Sequence, residues 1–147
     1  MIKIYTDGSS RGNPGPGGYG IVLLYKDNRK ELSQGYNLTT NNRMELLAVI
    51  KALEALNNNK IDITIYSDSK YVVESVERGW IWNWEKVNFK KKQNSDLWKK
   101  FIPLYKKFKV KFEWVKGHSG NIENERCDEL ANTAQERELL TDEGYSK

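Results

Sequence analysis

Two apolar segments, far apart in the chain, end on the same chemistry. Ile2-Lys3-Ile4-Tyr5-Thr6 alternates and stops at Asp7-Gly8-Ser9, and Ile61-Asp62-Ile63-Thr64-Ile65-Tyr66-Ser67 stops at Asp68-Ser69. Alternation rich in isoleucine, threonine and tyrosine reads as β-strand. In open α/β sheets, reactive groups gather just beyond the carboxyl ends of strands. Two strands that each deliver an aspartate at that end therefore suggest two acids brought side by side.

The rest of the composition suits one domain built around that point. At 147 residues the chain buries a real core without room for a second. Charged residues make up 30% and aromatics 12%, a globular profile. No apolar run approaches the roughly 18 residues of a membrane span, and the N-terminus lacks a signal-peptide core. A soluble, cytoplasmic protein without membrane contact is the expectation. Cys127 is the single cysteine, which excludes an internal disulfide and a cysteine-based zinc site. Charge is segregated. Between Arg78 and Lys116, 12 Lys/Arg stand against three acids (Glu85, Asp96, Glu113), whereas the remainder has 12 against 17. Such asymmetry is the footprint of a polyanion partner, with a solvated lysine face as the plainer alternative.

Between the two acid-tipped strands lies Gly8 to Gly20, rich in glycine and proline. Gly15, Gly17 and Gly20 satisfy G-x-G-x-x-G, but a dinucleotide fingerprint must open a helix. Here Ile21-Val22-Leu23-Leu24-Tyr25 follows, a strand, and no Lys-Ser/Thr pair marks a P-loop. The glycines read as a turn-rich connection, and Glu31 to Leu38 as a third strand completing an antiparallel meander. A helix then begins near Asn42, with Leu46, Val49, Ile50 and Leu53 at helical spacing, and ends by Asn57-Asn58-Asn59. Glu45 sits in its first turn among small residues. Asn42-x-x-Glu45 has capping-box spacing, so Glu45 has a purely structural alternative. Asp68 has one too, as N-cap of a helix from Ser69 to Arg78, and Asp7 alone could be an ordinary turn aspartate.

From Gly79 to Asn94, Trp80, Trp82, Trp84 and Phe89 are interleaved with Lys86, Lys90, Lys91 and Lys92. Rings pack on sugars or bases while ammonium groups neutralise phosphates, so the stretch suits nucleic acid. The competing reading is a helical subdomain with the tryptophans as its core. We expect both, with Trp80 and Trp84 mostly structural and Phe89, Lys90, Lys91 and Lys92 facing outward. Ser95 should cap a helix to about Lys107 that kinks or ends early at Pro103. Lys109 to Val115 is a fifth strand. A mobile loop, Lys116-Gly117-His118-Ser119-Gly120-Asn121, leads to a final helix with Cys127, Leu130, Ala131 and Ala134 as its apolar stripe and Asp128 beside it. Thr141 to Lys147 should fray as a C-terminal tail.

Four carboxylates are then candidates for one site: Asp7, Glu45, Asp68 and Asp128. Such a group repels itself unless a cation compensates it. Oxygen-only ligation points to Mg²⁺ or Mn²⁺. Two such ions about 4 Å apart activate a water and stabilise the leaving oxygen of a phosphodiester. Metal-dependent phosphodiester hydrolysis follows from the residues themselves.

Five blocks carry a resemblance. Ile4-Tyr5-Thr6-Asp7-Gly8-Ser9, Asn13-Pro14-Gly15-Pro16-Gly17-Gly18-Tyr19-Gly20, Thr40-Asn41-Asn42-Arg43-Met44-Glu45, Tyr66-Ser67-Asp68-Ser69 and Trp114-Val115-Lys116-Gly117-His118 through Asn124-Glu125-Arg126-Cys127-Asp128 closely resemble type 1 ribonuclease H, in order and in register from about Ile2 to Ala134. The resemblance implies an α/β ribonuclease H-like fold: a five-stranded mixed sheet of order 3-2-1-4-5, flanked by helices, as one domain over residues 1–140 with a basic protrusion at about 79–97. It implies an endonuclease that cuts the RNA strand of RNA–DNA hybrids and leaves 3′-hydroxyl and 5′-phosphate ends. Asp7, Glu45, Asp68 and Asp128 take the positions of the metal-binding quartet, holding two Mg²⁺ with substrate, Mn²⁺ substituting. His118 takes that of a mobile histidine assisting proton transfer or product departure. Asn13, Asn41 and Asn42 match positions that contact the RNA strand, and Thr40 and Asn94 resemble residues that hold a DNA phosphate. Trp80 to Lys92, with Trp84, Phe89, Lys90, Lys91 and Lys92, resembles the protrusion that engages the DNA strand. Lys70 stands where relatives often carry glutamine, which turns one RNA contact electrostatic, and the stretch from Phe89 to Trp98 is shorter than in longer members. The resemblance implies no additional N-terminal hybrid-binding domain and a monomer. Its rivals are a nuclease of the same superfamily with another substrate and a catalytically silent hybrid-binding module. The second has no use for four mutually repelling acids.

Overall fold

A computed structural model of the chain describes residues 1–57, 59–117 and 120–145. Its centre is a mixed sheet. β1 (Ile2–Ser10), β2 (Gly15–Tyr25) and β3 (Asn28–Thr39) form the antiparallel meander, while β4 (Asp62–Ser67) and β5 (Lys109–Trp114) continue the sheet in parallel with β1. A two-residue strand, β6 (Leu139–Leu140), adds in parallel to β3, so the order among the described residues is β5-β4-β1-β2-β3-β6. The expected order 3-2-1-4-5 is thus contained in a sheet one strand wider. Two leucines pair at an otherwise bare edge, a pairing too short to leave a sequence signal.

Helices cover both faces. α1 (Asn41–Glu54) is almost wholly buried and packs on β1 and β2, with α2 (Lys70–Glu77) and α4 (Ser95–Lys107) beside it. α5 (Ile122–Ala134) lies across β2, β1 and β3 on the other face. The glycines of the second block do not form a turn. They lie within β2, and their purpose is proximity. A Cβ on Gly20 would stand 2.2 Å from the Cys127 carbonyl oxygen, one on Gly18 2.7 Å from that of Ala131, and one on Gly35 of β3 2.2 Å from that of Ala134. Bare backbone at three successive points lets α5 lie against the sheet and brings Asp128 to its end.

The protrusion consists of α3 (Trp80–Lys86) and a run of turns to Asn94. Asn88, Phe89, Lys91 and Asn94 all have positive φ, so the backbone coils tightly. That coiling corrects the outward reading of Phe89. Its ring is only 5% exposed and belongs to the core cluster with Leu97, Trp98 and Ile102. The reverse correction applies to Trp80, which is 40% exposed under Arg78, because Ile81 fills the core position in α3. Trp84 is half-buried with its edge against Trp98. Pro103 neither ends nor divides α4. It sits on the exposed side of the helix, where a carbonyl left without its donor is least costly. Asn94, not Ser95, occupies the N-cap position of α4. The stretch after Leu140 is not frayed through Tyr145: Asp142 is buried and accepts from Thr39 and Arg43.

Candidate active site

The parallel register of β1 on β4 ends at the pair Thr6–Ser67 and so places the next residues, Asp7 and Asp68, side by side, although β1 does not stop at Asp7 as expected but stays paired to β2 as far as Ser10. Asp7 lies opposite Gly20 in the β1–β2 ladder, on the face that α5 covers. Glu45 arrives from the first turns of α1 on the other face. One carboxylate oxygen from each of Asp7, Glu45 and Asp68 lies within 4.8 Å of the others.

Neither alternative role for Glu45 or Asp68 survives the geometry. The N-cap of α1 is Thr40, whose hydroxyl accepts from the Arg43 amide at 3.3 Å. Glu45 instead accepts from the Gly8 amide at 2.6 Å. The N-cap of α2 is Ser69, whose hydroxyl accepts from the Val72 amide at 3.2 Å. Asp68 is thereby left to the site, and its buried Oδ1 has no hydrogen-bond partner among the described residues. An unpartnered buried carboxylate oxygen is costly unless something else binds it. Together with the all-oxygen donor set, it fits a hard divalent cation.

The electrostatics agree. Burial, then the charges of Asp68 and Asp128, push the Asp7 carboxyl up to about 8. Burial, then Asp7 and Asp68, hold Glu45 well above the usual carboxylate range. Asp128, half-buried on α5, therefore stands close enough to act on Asp7 but outside the tight group of three. His118 lies outside the described residues. Gly117, the residue before it, lies close to the site: a Cβ there would meet Asp68 Oδ2 at 2.9 Å.

The other candidates fall into two groups around these acids. Asn13, Thr40, Asn42 and Asn94 line one cavity of about 500 Å³, and the Asn13 side chain accepts from the Asn41 amide at 3.1 Å. Lys70 lies at the start of α2, its ammonium 5.1 Å from the centre of the Trp114 ring. Trp114, 46% exposed at the end of β5, donates its indole N–H to the Asp68 carbonyl at 3.2 Å. Trp114 is a neighbour of the site that its place in the alternation of β5 does not reveal. On the protrusion, Lys90, Lys91 and Lys92 are exposed, and Lys92 lies 4.9 Å from the Trp84 ring centre. Phe89 is withdrawn from this surface.

The chain is similar to known proteins over almost its whole length. The RNase H family model matches residues 1–136. A ribonuclease H of Trichodesmium erythraeum is 54% identical over 98% of this chain and 95% of its own, and one of Pectobacterium atrosepticum is 53% identical over 99% and 96%. Among solved structures, LC9-RNase H1, a type 1 RNase H with the type 2 active-site motif, superposes with a TM-score of 0.82 at 31% identity, over 92% of this chain and 72% of that one. LC11-RNase H1, crystallised with an RNA/DNA hybrid, superposes at 0.69 with 29% identity, over 92% and 97%. With its acids gathered where the parallel ladder of β1 and β4 ends and almost its whole length matched by these relatives, the chain belongs to the RNase H family.

Proposed function

We propose that this protein hydrolyses the RNA strand of RNA–DNA hybrids internally, leaving 3′-hydroxyl and 5′-phosphate ends, with two Mg²⁺ ions bound alongside substrate and Mn²⁺ able to replace them. The observation that carries this reading is the meeting of Asp7, Glu45 and Asp68 oxygens within 4.8 Å. Asp128 completes the ligand set from α5. When bound, the ions supply an activated water and charge stabilisation at the leaving oxygen. The chain's own part is positioning. The Gly8 amide fixes the Glu45 carboxylate, Trp114 steadies the backbone of Asp68, and the open Oδ1 of Asp68 is available as a ligand. His118 serves as a proton carrier or aids departure of product.

Selection of the hybrid rests on two grips. An A-like duplex displays 2′-hydroxyls along a wide, shallow minor groove, and these distinguish RNA from DNA. Asn13, Asn41 and Asn42 read the RNA strand there, joined by Lys70, exposed at the start of α2 over the Trp114 ring. Thr40 and Asn94 hold a phosphate of the DNA strand, and Trp80, Trp84, Lys90, Lys91 and Lys92 engage that strand farther along. The same reading makes the enzyme a cytoplasmic monomer. Among the described residues no helix is long and apolar enough to cross a membrane.

Labelled RNA–DNA, RNA–RNA and DNA–DNA duplexes, incubated with and without Mg²⁺, test the proposal. Cleavage confined to the RNA of the hybrid, and abolished by excess EDTA, is expected. Cleavage of all three duplexes, or undiminished cleavage in EDTA, overturns it.

A further inference from the structure

Arg43 is 2% exposed, yet it lines the same cavity as Thr40 and Asn94. A buried arginine beside a phosphate subsite would ordinarily be taken for the phosphate's ligand. Its hydrogen bonds exclude that. Nε donates to Asp142 Oδ2 at 2.8 Å, one terminal nitrogen to Asp96 Oδ1 at 2.8 Å and Asn94 Oδ1 at 3.4 Å, and the other to Asp96 Oδ2 at 2.7 Å and Asp142 Oδ1 at 3.0 Å. A guanidinium has five N–H donors, and all five are committed. Two carboxylates also outweigh its charge.

These bonds have a consequence for the residues around the cavity. The Arg43 amide donates to the Thr40 hydroxyl oxygen at 3.3 Å, and its guanidinium donates to the Asn94 carbonyl oxygen. Asn94 gives one N–H to the Tyr71 hydroxyl at 3.1 Å. With a lone pair on each oxygen engaged by Arg43, Thr40 keeps its O–H and Asn94 keeps one N–H free to donate. Both are donors, suited to an anion. The clamp in turn depends on the C-terminal segment: Asp142 also accepts from Thr39 at 2.7 Å, Gly144 packs so closely that a Cβ would overlap Asp96, and the Tyr145 ring centre lies 5.8 Å from the Arg43 guanidinium carbon.

Resting on the function proposed above, the geometry points to the Arg43 guanidinium, locked by Asp142 of the C-terminal segment, as a positioning group that holds Asn94 so that it presents a hydrogen-bond donor, in the cavity it shares with the Thr40 hydroxyl, to a DNA-strand phosphate. The segment after Leu140 is then a working wall of the substrate site.

The test is hybrid binding in EDTA, measured by fluorescence anisotropy, with short hybrids carrying one uncharged methylphosphonate linkage at successive positions. Wild-type protein should lose about tenfold in affinity at one DNA-strand linkage. Asp142→Asn should bind the unmodified hybrid about tenfold more weakly and lose almost nothing further at that linkage. In turnover its defect should appear in KM more than in kcat. A merely structural role lowers Tm but leaves the two losses additive at a temperature where the variant is folded, and that outcome overturns the inference. So does a sensitive linkage found in the RNA strand alone. Should Asp142→Asn not fold, Tyr145→Leu is read at the same linkage: a reduced methylphosphonate penalty supports the clamp, an unchanged one overturns it. Wild-type protein that shows no preference for the hybrid removes the functional reading, and this inference falls with it. Wild-type cleavage with indifferent variants removes the inference alone.

Discussion

The backbone amide of Gly8 donates to the Glu45 carboxylate across 2.6 Å, joining β1 to the start of α1. The two elements touch there without any intervening side chain: a Cβ on Gly8 would stand 2.3 Å from the Met44 carbonyl carbon and 2.4 Å from the Glu45 nitrogen. Asp7 and Glu45 are thus held together by the backbone itself.

Gly8→Ala should force α1 away from β1. The expected cost is about 1–3 kcal/mol of stability, as for overpacking elsewhere. Cleavage should fall by more than the folded fraction accounts for, because Glu45 moves with the helix. Thermal unfolding and activity measured on the same sample check this, and an unchanged activity per folded molecule would contradict it.

Asp7→Asn should abolish metal-dependent cleavage while leaving hybrid binding in EDTA largely intact. It should also raise the Tm of the metal-free protein, since Asp7 is buried beside Asp68 and Asp128. A variant that cleaves normally would remove Asp7 from the site.

The metal-free protein should lose stability as pH rises. Asp7 has its carboxyl pushed from an ordinary 3.8 up to about 8, by burial first and then by Asp68 and Asp128. Glu45 shifts the same way. Between those values the folded state keeps a proton that the unfolded chain has released, so the slope of stability against pH is negative. The contribution is complete below about pH 4 and gone once pH passes about 8. A divalent cation should reverse the trend, raising Tm more at pH 8 than at pH 6 and releasing protons on binding. Calorimetry in buffers of different ionisation enthalpy measures that release.

Phe89→Ala should act on the fold, not on substrate. Truncating a buried aromatic costs about 3–5 kcal/mol, and Phe89 is 5% exposed. By contrast, changing Lys90, Lys91 and Lys92 to glutamine should leave Tm nearly unchanged. It should flatten the dependence of log K on log salt by up to about 0.9 for each phosphate that the variant no longer neutralises. Denaturant melts and salt titrations of hybrid binding separate the two effects, and a salt slope unchanged in the triple variant would take the protrusion out of the interface.

The sequence alone determined the features that depend on local pattern. The alternation of Ile2–Thr6 and Ile61–Ser67, each followed by an aspartate, is a short-range property, and so is the helical spacing from Leu46 to Leu53. That was enough to place the meander and to bring Asp7 and Asp68 side by side, while the sheet order came from the resemblance. Long-range geometry settled the rest. Whether Glu45 caps its own helix or accepts from Gly8 depends on a residue 37 positions away. Whether the glycines of β2 form a turn or a seat for α5 depends on a helix more than a hundred residues later. The outward reading of Phe89 failed because side-chain type does not reveal the run of positive-φ residues that folds it inward. The segment after Leu140 looked free because nothing in Asp142 announces a buried arginine 99 residues earlier. Local pattern chooses the elements, because strand and helix periodicity are properties of neighbouring residues. Which polar atoms find partners, and which are left for a ligand, is decided only when distant segments compete for the same donors in three dimensions.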